Sequence, residues 1–204
     1  MARRKRNWRP GVNYHVVMRG NNRQNIYATE EDMLHLMRCI GHASINYHFT
    51  IFAFCIMTNH YHILLQSEDD LSKIMRHINR KYSDYYSKRY GYIGQLYQGR
   101  YYSREVKSPY ALLAVSRYIH RNPIATKTPM VKHLADYPFS TFPCYHSSAP
   151  SPYPYLNTSK LPHCLPQPFE KTTEAYVHYC LMKTEDILNV YKSKDILEAL
   201  TELQ

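Results

Sequence analysis

The stretch FTIFAFCIMTNHYHILLQ, residues 49–66, decides how the rest of the chain is read. Phe49 to Met57 is a nearly continuous apolar run, the pattern of a central strand covered on both faces. Thr58-Asn59 is a tight break, and His60 to Gln66 reads as the next strand, closing a hairpin with the first.

Working outward, Val12 to Arg19 (VNYHVVMR) alternates as a strand and is broken by Gly20-Asn21-Asn22. Thr29, followed by Glu30, Glu31 and Asp32, starts a helix with acids against the positive end of its dipole; it runs to about Tyr47. Downstream, Asp70 to Tyr90 is helical, with Leu71, Ile74, Ile78 and Tyr82 at helix spacing, until Gly91 and Gly94 interrupt it. Leu96 to Val106 is read as extended. Ser108-Pro109 supplies an N-cap with proline at the first helical position, and Pro123 stops that helix near Asn122. The order strand, helix, two strands, helix, strand, helix predicts an α+β domain with helices packed on an antiparallel sheet. Composition divides the chain into a basic arm at 1–11, the domain at 12–145, a Pro-rich linker at 146–171 and an acidic helical extension at 172–204.

The chain has 204 residues and a formal charge of +10. Residues 1–167 carry 22 Lys and Arg against 9 Asp and Glu, or +13; residues 168–204 carry 4 against 7, or −3. A basic body with an acidic tail points to a polyanionic partner, most plausibly nucleic acid. No apolar run is long enough to span a membrane, and the N-terminus MARRKRNWRPG lacks the apolar stretch of a signal peptide, so a cytoplasmic protein is expected. The five cysteines are odd in number and widely spaced, which favours buried thiols over a disulfide framework. Cys144, His146, His163 and Cys164 fall in two short clusters that could hold zinc, although their spacing lacks the regularity of structural zinc sites.

On a strand, His60 and His62 point to one face while Tyr61 points to the other. Two imidazoles on a rigid strand can chelate one divalent cation, but a chain with 12 histidines also yields H-x-H by chance. Tyr118 and Asn122 are four residues apart on the Pro109 helix, hence on one face. The carboxamide oxygen of Asn122 is a hard neutral ligand suited to Mg²⁺ or Mn²⁺. A phenol one turn away would be helped by that cation as a nucleophile. A core tyrosine is the alternative reading of Tyr118, one of 21 in the chain.

Four blocks, VNYHVVMRGNNRQNIY (12–27), FCIMTNHYHILLQ (54–66), GQLYQGRYYSREV (94–106) and SRYIHRNPIA (116–125), occur in the order found in the single-tyrosine HUH transposases. They resemble most the branch of REP-associated tyrosine transposases, over roughly residues 8–145. The resemblance implies a ferredoxin-like HUH fold, metal ligation by His60, His62 and Asn122, and Tyr118 as the nucleophile. It also implies a single-strand DNA endonuclease and strand-transferase working through a 5′-phosphotyrosine, on imperfect palindromic hairpins beside a short single-stranded guide. A monomer is implied, with a dimer left open. The chain departs from the pattern at Tyr61, where an apolar residue is usual, and this reads as a less covered sheet face.

Lys73 to Lys107 carries nine Lys and Arg against two acids, interleaved with eight tyrosines. Cations neutralise phosphates and aromatic faces stack unpaired bases. Arg76, Arg80, Lys81, Arg100 and Arg104 are the expected DNA contacts in this segment, the rest being core or solvated surface. Arg19 and Asn21 join them from the first block. Arg3, Arg4, Arg6 and Trp8 form a second cluster that would contact DNA as a basic arm. Two rival readings share these residues: a hairpin-binding regulator with little catalysis, and a metal hydrolase of small phosphoesters. The acidic tail reads either as a competitor for the basic groove or as a helical lid on the core.

Overall fold

The computed structural model describes residues 8–147 and 149–190, so Arg3, Arg4 and Arg6 lie outside the described residues. Four strands form one sheet: β1 (Asn13–Arg19), β2 (Phe49–Ile56), β3 (His60–Ser67) and β4 (Tyr102–Glu105), in the order β2-β3-β1-β4. Every neighbouring pair is antiparallel. Helices α1 (Glu30–Asn46) and α2 (Leu71–Tyr90) connect them, and α3 (Pro109–Arg121) follows β4. This is the α+β arrangement that the alternation of elements predicts.

Local chemistry sets each boundary. Thr29 and Asp32 close a reciprocal capping box at the start of α1. Asp70 accepts the Ser72 amide at the start of α2, and Gly91, at φ 60°, ends that helix in the left-handed region. The Ser108 hydroxyl accepts the Ala111 amide at the start of α3. The extended reading of Leu96–Val106 holds only in part. Tyr102–Glu105 pairs with β1, Tyr97 bridges to Gly20, the Gln98 amide donates to Arg19 O, and residues 99–101 make no ladder pair among the described residues.

The sheet separates two helical layers. Tyr61 points toward α1 and α2, where it is fully buried and donates to Asn79 Oδ1 at 2.7 Å. The expectation of a less covered face at this position is therefore corrected: α2 covers the ring, and Asn79 satisfies the polar atom that burial would otherwise leave alone. Asp32, with no exposed surface, ties the two helices together by accepting the Tyr85 and Tyr90 hydroxyls at 2.9–3.0 Å. Helix α3 packs on the opposite face, against β2 and β3.

The later chain covers α3 and the outer edge of β2. The amide of Ile56 bonds to Phe139 O, and Ile51 exchanges bonds with Tyr155 and Asn157, so the strand's free backbone groups are paired. The stretch 146–171, read as a linker, thus contributes bridging residues and helix α5 (Lys160–His163), whose Lys160 reaches Asn13 and Gln66. Helix α6 (Thr173–Leu181) packs on α3 and on α4 (Phe142–His146), burying Tyr176 and Cys180. Arg117 and Arg121 donate to the carbonyls of Met182 and Cys180. In the acidic extension, α6 and Ile187 are thus packed into the core.

All five cysteines are free thiols, and no group of three or more His, Cys, Asp or Glu poised to hold a metal occurs among the described residues. The zinc cluster envisaged at Cys144, His146, His163 and Cys164 does not assemble; His163 instead bonds back to Ser159 O. No helix among the described residues is long and apolar enough to cross a membrane.

Asp32→Ala removes one half of the capping box and the acceptor of two tyrosine hydroxyls. It should destabilise the fold by about 2–4 kcal/mol, read as a lower midpoint in urea unfolding. Tyr85→Phe and Tyr90→Phe should each cost less than Asp32→Ala.

Candidate active site on the histidine face of the sheet

Strand β3 is bonded to β1 on one side and β2 on the other, so its alternation is fixed along its length. His60 and His62 therefore share the α3 face, with ring centroids 4.9 Å apart. The Tyr118 ring, projecting from α3, stands edge-on to His62 at 5.3 Å. Its hydroxyl makes no hydrogen bond among the described residues. The structure brings these three predicted residues together.

A fourth member is His15, which the sequence reading did not single out. It lies on β1 on the same face, with Nε2 3.0 Å from His62 Nδ1 and the two rings stacked at 5.2 Å. His15 also meets the Tyr118 ring at 6.2 Å. The signal was present in the strand HVVMR, where His15, Val17 and Arg19 alternate onto one face, but only the register against β3 shows which residues they meet.

Burial drives the protonation states. Desolvation first, and then the Arg104 charge, lower the pKa of His15 to about 4. Desolvation and then Arg19 bring His60 to about 4 as well. His62 is lowered well below the ordinary imidazole value by burial, then by its histidine neighbours and Arg19. All three rings are neutral near pH 7, the form in which imidazole binds a cation. His60 Nδ1 is taken up by Asn59 Oδ1 at 2.5 Å, leaving Nε2 as its free nitrogen. His62 Nε2 is buried and has no hydrogen-bond partner among the described residues. Two other buried polar atoms share this condition, His77 Nε2 and Arg117 Nε, but of the three residues it is His62 that lines the cleft in front of Tyr118.

Asn122 is the C-cap residue of α3, and its side-chain nitrogen donates to Tyr118 O at 2.8 Å. No hydrogen bond joins it to either imidazole among the described residues. The cleft in front of Tyr118 has a volume of about 480 Å³ and is lined in part by His15, His62, Arg19, Arg100, Tyr102 and Arg104. Tyr102 is 58% exposed there. Of the other expected DNA contacts, Arg76 and Arg80 line a neighbouring pocket on α2, and Lys81 faces the groove between α1 and α2. Asn21 follows β1, with its backbone amide bonded to Leu96 O. Trp8 is half-buried, and its indole donates to Ser67 Oγ at the far end of β3 from His60.

A four-stranded antiparallel sheet thus carries paired histidines on one face, with a tyrosine presented to them from a helix. The family model described as transposase, IS200-like, matches residues 9–122. The chain belongs to the IS200-like transposase family. Among solved structures, it resembles a REP-associated tyrosine transposase bound to a REP hairpin, with a TM-score of 0.59 and 23% identity over 75% of this chain and 90% of that one. A second similar structure, from a Deinococcus radiodurans R1 protein described as a transposase, has a TM-score of 0.41 and 13% identity over 59% of this chain and 97% of that one. No curated protein matches the chain.

Buried neutral histidines make stability depend on pH. His120, enclosed between Thr141 and Tyr176, is lowered by burial to about 3. Above about pH 6.5 folded and unfolded chains are both unprotonated at these rings, and the full stability is present. Below it the unfolded chain takes up protons that the folded chain refuses, so stability falls as pH drops toward 4. Urea midpoints should therefore decline from pH 6.5 downward; a flat profile to pH 4.5 would contradict these assignments.

Proposed function

We propose that this transposase-family chain cuts and rejoins single-stranded DNA with Tyr118 as the nucleophile. The observation that carries the reading is the unpartnered, buried Nε2 of His62 beside the unbonded hydroxyl of Tyr118. Both residues line a cleft that Arg19, Arg100 and Arg104 also line. Nε2 of His60 and of His62 would hold Mg²⁺ or Mn²⁺, with the Asn122 carboxamide oxygen as a third ligand once it turns from the helix end. When bound, the cation would polarise the scissile phosphate and favour the phenolate of Tyr118.

The chain's own residues account for the remaining steps. Arg19, Arg100 and Arg104 orient the phosphodiester through charge-assisted contacts. The Tyr118 oxygen attacks phosphorus, the bond to the 3′ oxygen breaks, and that oxygen leaves as a hydroxyl by taking up a proton equivalent to the one the phenol gave up. A 5′-phosphotyrosine results. Attack by another 3′-hydroxyl reverses the step and joins two strands with no other energy source.

His15 supports this site as a positioning residue. With its Nε2 accepting the proton on His62 Nδ1, His15 would fix the lone pair of His62 on Nε2. His15→Leu should weaken Mn²⁺ binding about 10–100-fold, measured by the loss of free Mn²⁺ signal in electron paramagnetic resonance titrations. His15→Gln should retain most of the affinity, because its carboxamide oxygen also accepts.

The substrate class proposed is hairpin DNA with unpaired flanks, in keeping with the hairpin held by the similar solved structure. Arg3, Arg4, Arg6, Trp8, Asn21, Arg76, Arg80 and Lys81 are proposed as further contacts, and the chain is proposed to act as a monomer. A second reading, hairpin binding without chemistry, is favoured by one observation: the amide of Asn122 is engaged by its own helix.

One assay separates the two. Labelled hairpin DNA incubated with Mn²⁺ should yield a denaturation-resistant adduct in the wild type and none in Tyr118→Phe, which should still bind. Cleavage by Tyr118→Phe would refute the nucleophile, and binding with no adduct in the wild type would favour the second reading.

A further inference from the structure

Asn59, the residue before His60, is bound by the turn that follows β1 through both its backbone and its side chain. Its carbonyl accepts the Gly20 amide at 2.8 Å, and its side-chain nitrogen donates to Arg23 O at 3.1 Å. The turn is compact: Arg23 N bonds to Gly20 O at 3.1 Å and Gln24 N to Asn21 O at 3.0 Å. Beyond it the amides of Ile26 and Tyr27 both donate to Thr58 O. Residues 58 and 59 are thus tied to the chain on both sides of the turn.

Two features of this turn are more than a connection between β1 and α1 would require. Asn22 and Arg23 stand in succession at φ 49° and 57°, the left-handed region that an arginine rarely adopts. Arg23 is exposed, so side-chain packing does not account for its conformation; its carbonyl, however, is aimed at the Asn59 amide. Gly20 is needed for a different reason, since a Cβ there would sit 2.5 Å from Gln24 O and 3.1 Å from Ile26 Cγ2. The orientation of Asn59 then follows by elimination. A carbonyl only accepts, so the amide nitrogen must face Arg23 and the amide oxygen must face His60. That oxygen also only accepts, so His60 Nδ1 carries the proton and Nε2 the lone pair.

We propose that Asn59 is the positioning residue of His60, and that the strained turn from Gly20 to Gln24 holds Asn59 in the one orientation that keeps the His60 proton on Nδ1. His60 then offers Nε2 to a cation. The segment from His15 to Gln24 thereby acts on both imidazoles, His15 on His62 directly and the turn on His60 through Asn59. The use made of the lone pair rests on the metal reading above; the position of the proton does not.

The test reads the ring nitrogens directly, in long-range ¹⁵N–¹H correlation spectra of the full-length chain near neutral pH without metal. The His60 signals are assigned by their loss in His60→Gln. The wild type should show a protonated Nδ1 and an unprotonated Nε2. Asn59→Ala should move the proton largely to Nε2, the form a free imidazole prefers. It should also weaken Mn²⁺ binding about tenfold in electron paramagnetic resonance titrations. Gly20→Ala, whose added methyl meets Gln24 and Ile26 rather than His60, should give the same two changes. Arg23→Gly, which allows the same backbone angles, should give neither. Circular dichroism checks that each variant is folded, and Asn59→Ala decides the matter if Gly20→Ala is not. A proton on Nε2 in the wild type, or an unchanged tautomer in Asn59→Ala, would overturn the proposal. Loss of the tautomer in Arg23→Gly would overturn the part given to the backbone of the turn. A wild type with the expected tautomer that fails to bind Mn²⁺ would instead remove the metal reading and leave the positioning of His60 standing.

Discussion

The register of β3 between its two neighbours is the constraint from which the rest follows. Met18 pairs with Tyr61 and Val17 with His62 on one side, while Ile56 pairs with Tyr61 and Cys55 with His62 on the other. A slip of one residue would exchange the two faces, sending both histidines into the α1–α2 core and Tyr61 toward Tyr118. Ladder bonds on both edges make that slip costly, since it would break the pairing on both sides at once. The buried Tyr61 hydroxyl adds a polar check, because only the native register lets it reach Asn79. The tyrosine that departs from the family pattern therefore helps to hold the face on which the histidines sit.

That fixed face was legible in the sequence to a large extent. Apolar runs, caps and glycine breaks locate every strand and the three long helices, because these signals are local and agree with the packing. The shared face of His60 and His62 follows from strand alternation, and the structure sets Tyr118 beside them as helical spacing and the order of the four blocks led one to expect. His15 was missed, because its contact with His62 depends on a cross-strand diagonal that no local pattern reports. The covering of the β2 edge by residues 139–141 and 155–157 was missed for a related reason. Prolines and short polar runs describe a loop's composition, not the strand on which it lies. Asn122 shows the opposite limit. Helical spacing places it one turn from Tyr118, yet at a helix end its amide finds the terminal carbonyls that need a donor.

The two edges of the sheet are treated differently, and the difference bears on how a polyanion approaches. The β2 edge is closed by backbone pairing with the later chain, and the described part of the acidic extension packs on α3 behind it. At the other edge β4 is only four residues long, and beyond it the segment through Gly99 and Arg100 stands away from β1. Positive charge collects there from three directions: Arg19 on β1, Arg104 on β4 and Arg76 on α2. A chain with a net surplus of cations in its first 167 residues thus concentrates several of them where the sheet is open.

The same placement explains why neutral histidines and abundant arginines coexist at short range. Arginine stays charged in any of these environments, so it can supply field for a phosphate without titrating. Imidazole responds to that field and to burial by losing its proton, and the two effects act in the same direction on His15, His60 and His62. Burial first, and Arg19 and Arg104 after it, therefore keep these histidine nitrogens unprotonated. The cost is borne at low pH, where the folded chain cannot protonate these rings without disrupting their surroundings. Permanently charged guanidinium groups and neutral imidazoles are thus joined in one arrangement, on a sheet face whose register is fixed from both sides.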